Sequence, residues 1–241
     1  MPSPSSFFIR SDYRPRKTVE TVGEMSSGEY WTDARIKGAL LYQFPVYQYA
    51  RRLIRRRRAE TIVDVGCGVG HKLKYVHSRE PQCSYIGIDQ ASAISYCREH
   101  HGFGRWIVDD FENPTDAADG IHGDLVICCD VIEHVLDPDL LLTYLRRVTA
   151  PGGSILLSTP DRDAMRGTDC LESPNQFHVR EWNRNEFANY LQDRGIRIEA
   201  HFNQFASRVG FNSIFMKQLR KRFPRPLRYN QVALGSFGCQ P

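Results

Sequence analysis

Ten residues, Thr61-Ile-Val-Asp-Val-Gly-Cys-Gly-Val-Gly70, constrain this chain more than any others. A short β-branched run ends in an acidic residue and then in glycines at alternate positions. The run reads as a buried strand and the glycines as a sharp turn, with a helix expected from about His71. Glycine lets backbone N–H groups come close to a ligand and lets the chain bend sharply. The pattern points to an adenosine-type ligand at a strand end.

Beyond Gly70 the chain keeps alternating between strand and helix patterns. Strands are expected at Ser84–Asp89, Arg105–Asp110, Asp124–Asp130, Ser154–Ser158, Ile196–Ala200 and Gln231–Leu234. Helices are expected at Ala91 to about His101, Asp137–Ala150, and from a cap at Asn183 to about Asp193, where Gly195 ends the last. Pro151-Gly-Gly153 reads as a turn. Several strands are near-continuous apolar runs, the signature of a sheet covered on both faces. The fold class is therefore α/β: a Rossmann-like, doubly wound, mostly parallel seven-stranded sheet with helices on both faces. Its ligand crevice is expected at the C-terminal strand ends.

At 241 residues the chain suits one domain with appendages. Residues 1–28 are Pro/Ser-rich and charged and read as a loose arm; residues 29–241 read as the domain. Within it, 29–58 is expected to be a helical lid, pausing before Pro45, and 203–229 an insertion between the last two strands. The seven cysteines form no CxxC pair and no even framework, so free thiols in a reducing compartment are expected. No apolar run nears the roughly 20 residues of a membrane span, and the N-terminus lacks a signal-peptide pattern. A cytoplasmic location is the expectation.

Asp89 closes the second strand 19 residues after Gly70, where a carboxylate can accept from ribose hydroxyls. The glycine spacing is shorter than the dinucleotide pattern, and Asp64 just upstream would repel a pyrophosphate. A ligand carrying an ammonium and a sulfonium suits it better. These features favour S-adenosylmethionine over a nicotinamide cofactor.

Asp64-Val-Gly-Cys-Gly-Val-Gly70 resembles motif I of class I S-adenosylmethionine-dependent methyltransferases, and Tyr85–Asp89 their ribose-binding motif. Val108–Phe111 resembles the adenine-contacting segment. Asp124–Val135, with Asp-Val-Ile-Glu-His near its end, resembles motif IV of the branch containing ubiquinone-pathway O-methyltransferases. Leu145–Gly153 resembles the helix and turn before strand five. The likeness spans roughly residues 60–200. It implies that Gly66, Cys67, Gly68 and Gly70 pass under the methionine moiety, with Asp64 orienting its ammonium. Asp89 would hold the ribose and Gln90 flank the adenine. Asp110 would accept from the adenine amino group, with Asp109 as its alternative, and Phe111 would donate its backbone N–H. Cys129 and Asp130 would lie beside the methyl donor.

An acceptor hydroxyl must lose its proton, and histidine is the natural base. His134, after Glu133 at the crevice mouth, is one candidate. His178 is the other; its segment resembles a His-Val-Arg-Glu-aromatic stretch of glycan- and secondary-metabolite-associated methyltransferases. Asp130-x-x-Glu133-His134 with His178 is also similar to the metal-binding arrangement of small-RNA 2′-O-methyltransferases. A divalent ion stays open, no metal ligands are assigned, and Glu133 is expected to shape the pocket.

The expected activity is methyl transfer to an oxygen, or secondarily a nitrogen, of a small molecule or glycan precursor. RNA 2′-O-methylation, a nicotinamide-dependent oxidoreductase and a non-catalytic cofactor-binding module are the rivals. The arginine run at 51–58 has no interleaved aromatics and reads more simply as a solvated helix end, which argues against nucleic acid. Tyr30, Trp31, Tyr42 and Tyr47 are expected in a lid. The basic end of the insertion reads as a solvated tail, a lid or a membrane-surface helix. The oligomeric state is left open.

Overall fold

A computed structural model describes residues 4–17, 33–205 and 229–238. Seven strands form one sheet: β1 (Thr61–Val65), β2 (Ser84–Asp89), β3 (Arg105–Val108), β4 (Gly123–Cys129), β5 (Thr149–Pro160), β6 (Ile196–Phe205) and β7 (Tyr229–Phe237). The order is β3-β2-β1-β4-β5-β7-β6. Pairings are parallel except where β7 runs antiparallel between β5 and β6. The expected α/β sheet is present.

The strand period of two sorts β1 between the faces. Val63 and Val65 join one apolar cluster, with α4 (Pro138–Val148) and α6 (Arg184–Asp193). Ile62 joins the other, with α1 (Asp33–Arg57), α2 (His71–His77) and α3 (Ala91–His100). Asp64 follows the parity of Ile62 and meets α1 through Tyr47. A short helix, α5 (Arg162–Arg166), follows β5. Local signals set the ends of α6: Asn183 and Glu186 form a reciprocal capping box, and Gly195 has φ of +75°.

Four expectations change. The expected turn at Pro151–Gly153 lies within β5. Gly123 pairs with Thr149 and Leu125 with Ser154, so the extra residues bulge out, with Gly152 at φ +75°. Helix α1 runs through Pro45 without a pause, burying the ring. Tyr47 is no lid aromatic: it is fully buried beneath the sheet end.

The described part of the arm is not loose either. Phe7, Ile9 and Tyr13 enter the α4/α6 cluster. Phe7 O accepts from Trp182 Nε1 at 2.9 Å, and the Tyr13 hydroxyl accepts from Glu181 N at 3.0 Å. Arg14 N and Arg16 N donate to Leu171 O and Val179 O. Three apolar anchors and paired backbone offset the ordering cost of a polar segment. Tyr30, Trp31 and residues 206–228 of the insertion lie outside the described residues. No helix of the described residues is long and apolar enough to cross a membrane.

Candidate active site

The glycine turn closes onto β2. Gly66 N and Cys67 N donate to Ile88 O at 2.8 and 3.2 Å. Gly66, Gly68 and Gly70 have φ of +78°, +57° and +72°. A Cβ at Gly66 would stand 2.2 Å from Val131, and one at Gly70 2.7 Å from His101. Conformation and space both require glycine at these two positions. Gly68 N donates to Asp89 Oδ2 at 2.7 Å, and Gln90 N to Oδ1 at 2.7 Å. Asp89 is half-buried and tied to the turn; burial raises its pKa against these hydrogen bonds. Each oxygen keeps a lone pair for a further donor.

Asp64 lies deeper. It is fully buried, and the Tyr47 hydroxyl lies 2.9 Å from both its oxygens. Burial lifts its pKa to about 7, against Lys72 and the tyrosine hydrogen bond. Lys72, also buried, donates to Gln43 Oε1, and Gln43 Nε2 donates to Cys129 O at 3.4 Å. Helix α1 thus reaches the ends of β1 and β4. Cys67 and Cys129 are buried with thiol pKa values pushed up by burial, the mark of packing residues rather than nucleophiles.

On the other side of the crevice, the two carboxylates after β3 separate. Asp109 is buried and saturated: it accepts from Asp110 N, Thr115 N, Thr115 Oγ1 and the Tyr144 hydroxyl, all between 2.9 and 3.0 Å. Asp110 is half-buried and accepts from Glu112 N at 2.9 Å. Phe111 is buried against Tyr144, with centroids 5.3 Å apart. Gln90 Oε1 is buried with no hydrogen-bond partner among the described residues. An orphaned acceptor beside Asp89 fits a ligand that donates there.

Beyond β4 the backbone turns at Asp130, a non-glycine residue with φ of +54°. Its carboxylate accepts from Ser158 Oγ at 2.7 Å and from Asn230 Nδ2 at 2.7 and 2.8 Å. Glu133 is buried; Thr159 Oγ1 donates to Oε2 at 3.0 Å, while Oε1 has no partner among the described residues. Burial, with Asp130 nearby, pushes its pKa well up. Glu133 O also accepts from Val179 N at 2.8 Å, joining the loops after β4 and β5.

That junction brings both histidines together, with ring centroids 4.8 Å apart and planes at 88°. His134 Nδ1 donates to Phe177 O at 2.8 Å, which makes Nε2 its acceptor nitrogen. His178 differs. Nδ1 faces Glu181 Oε1 at 2.6 Å, and Nε2 accepts from Asn175 Nδ2 at 2.8 Å. The amide orientation is fixed by Phe177 N donating to Asn175 Oδ1. Burial would raise the Glu181 pKa, but His178 and Arg166 bring it down to about 2. No metal set is assigned from sequence, yet the fold places one ligand atom each of Glu133, His134 and His178 within 4.8 Å of one another. Asp130 stays outside this group, held by Ser158 and Asn230.

Several members were missed by sequence reasoning: Gln43, Lys72, Asn175 and Glu181; Tyr47 was expected near the site but as a lid aromatic rather than as the partner of Asp64. For Lys72 a signal exists, since a lysine sits beside Leu73 where the helix faces the core. Glu181 lies three residues from His178, within side-chain reach. Gln43 depends on helix docking and carries no local signal.

Residues 41–201, more than half of the chain, match the family described as a methyltransferase domain. A ubiquinone biosynthesis O-methyltransferase of Pseudomonas paraeruginosa is 32% identical over 108 residues, 43% of this chain and 46% of that protein. A Mycolicibacterium smegmatis protein named a probable S-adenosylmethionine-dependent methyltransferase is 30% identical over 159 residues, 64% of this chain and 57% of that one. The matched stretch thus spans about half of each relative. In fold, the chain is similar to the plantazolicin methyltransferase BamL, solved with a desmethylplantazolicin analogue and S-adenosylhomocysteine. The TM-score is 0.65 at 15% identity, covering 98% of this chain and 97% of that one. With the glycine turn and Asp89 arranged as described, the chain belongs to the methyltransferase-domain family.

Proposed function

We propose that the enzyme methylates an oxygen of a small-molecule or glycan-precursor acceptor, with His134 as the base. The observation that supports this is the His134–Phe177 hydrogen bond: a carbonyl only accepts, so in the neutral ring Nδ1 carries the proton and Nε2 is the basic nitrogen. His178 has both nitrogens engaged within the fold and acts as support. The ubiquinone-pathway names of the relatives favour an oxygen acceptor.

S-adenosylmethionine held on the glycine turn would supply the methyl group on a sulfonium, with S-adenosylhomocysteine as the leaving group when the acceptor oxygen bonds to the methyl carbon. The protein's own work is placement and proton removal. Asp89 takes the ribose hydroxyls, and Gln90, Asp110 and the Phe111 backbone N–H border the adenine. Cys129 and Asp130 flank the reacting end. His134 Nε2 receives the acceptor's proton. His134→Gln is expected to lower kcat by about 100-fold or more while S-adenosylhomocysteine binding stays within about twofold. Methyl-labelled cofactor with fractionated cell extract identifies the acceptor. Unchanged turnover in His134→Gln would remove it as the base.

The unpartnered Glu133 oxygen favours a second reading of the same site. Glu133 and His134, with His178 once its Nε2 exchanges the Asn175 amide for the ion, would offer a carboxylate and two imidazoles to a divalent ion, a fit for Mn²⁺ or Zn²⁺. Such an ion would polarise an acceptor oxygen and lower its pKa. Turnover after chelation, with and without added Mg²⁺ or Mn²⁺, separates the readings. Loss and recovery support the ion; unaffected turnover leaves His134 acting alone.

A further inference from the structure

The least expected group in the crevice is a buried cation. Lys72 lies two residues after Gly70, beside the core residue Leu73, and is 6% exposed. An ammonium carries three donors. Among the described residues, one oxygen accepts from it, Gln43 Oε1. The Tyr47 ring lies below it at 5.3 Å. Its charge depresses the proton affinity of Asp64, Asp89 and Cys129. Asp64 stands one residue before the end of β1, and Asp89 and Cys129 close β2 and β4, so the ammonium acts on the strand ends that form the crevice.

Burying a charge is costly unless a partner compensates it. One candidate is Asp64, but Tyr47 already binds it, burial raises its pKa to about 7, and no ion pair joins it to Lys72 among the described residues. The cation is therefore short of a full counter-charge from the protein. The cofactor has one to give: its methionine end carries a carboxylate, and the glycine turn lies immediately before Lys72 in the chain.

We propose that Lys72 binds the carboxylate of the cofactor's methionine end, with Gln43 and Tyr47 of α1 holding it in position. Helix α1 is then part of the cofactor site, linked to it through Lys72, Asp64 and the Cys129 carbonyl. The inference rests on S-adenosylmethionine as cofactor and adds the residue that distinguishes it from its decarboxylated form.

Calorimetric titration of the full chain with S-adenosylmethionine and with decarboxylated S-adenosylmethionine tests this directly. The wild type is expected to prefer the carboxylated form by about 10- to 100-fold, the value of one lost charge-assisted hydrogen bond. Lys72→Met should erase that preference while binding the decarboxylated form within about twofold of wild type. Lys72→Arg should keep part of it. A wild type that does not discriminate overturns the proposal, as does Lys72→Met that still does. If Lys72→Met does not fold, Lys72→Gln is titrated in its place against the same criterion. Binding of neither ligand by the wild type would instead overturn the cofactor assignment, and this inference with it.

Discussion

Asp64 shows how much the fold adds to the sequence reading of one side chain. Motif resemblance gives it a ligand's ammonium; the fold gives it Tyr47 on both oxygens and a pKa of about 7. The consequence has a definite sign. A carboxyl whose folded pKa lies above its unfolded value contributes stability that is fully present below about pH 4 and is lost as pH rises through about 7. Asp64→Asn removes that loss. In urea unfolding, the variant's stability relative to wild type is expected to rise between pH 4 and pH 8 by an amount on the order of a few kcal/mol. Parallel pH profiles for the two proteins would show that Asp64 does not titrate in this window. Asp89 holds its position differently, through two backbone N–H groups. Asp89→Ala should weaken S-adenosylhomocysteine binding by about 10-fold or more and loosen the turn, measured by the same titration.

At the scale of elements, legibility followed how local the determinant is. Strands β1, β2 and β4 were readable because each is a short apolar run ending in a chemically distinctive residue. Helix α6 was readable because both its cap and its terminating glycine lie in adjacent sequence. The N-terminal segment was not, because its Pro/Ser-rich composition hides anchors whose partners lie far along the chain, Phe7 with Trp182 and Tyr13 with Glu181. Phe7, against Tyr190 with centroids 6.1 Å apart and under Arg180 at 4.7 Å, is the clearest of these. Phe7→Ala is expected to cost about 3–5 kcal/mol, read as a lower urea midpoint. A change below about 0.5 kcal/mol would mean that the segment adds no stability. The same limit applied to the site. Asp109 and Asp110 are indistinguishable in sequence, and only the docking of Tyr144 and Thr115 shows which one is saturated.

Across the whole molecule, groups from both faces of the sheet meet at one end of the strands. The α1–α2 side contributes Gln43, Tyr47 and Lys72; the other side contributes Phe111 and the loop that carries His134. A ligand bound there stabilises the native state as a whole. S-adenosylhomocysteine at about one hundred times its Kd should add about 2.7 kcal/mol. The accompanying rise in Tm should be much smaller in Asp89→Ala at the same ligand concentration. An equal rise in both proteins would place the binding site elsewhere.

The backbone junction between the loops after β4 and β5 bears on how this enzyme could change its acceptor. Glu133 O receives Val179 N, Phe177 O receives His134 Nδ1, and Arg180 donates to the carbonyls of Val135 and Leu136. Residues 133–136 and 175–181 are therefore bolted together in both directions. A graft of either segment alone would arrive without its mating half. Variation in acceptor preference should be inherited as a paired cassette, and a laboratory exchange of specificity should transplant the two segments together.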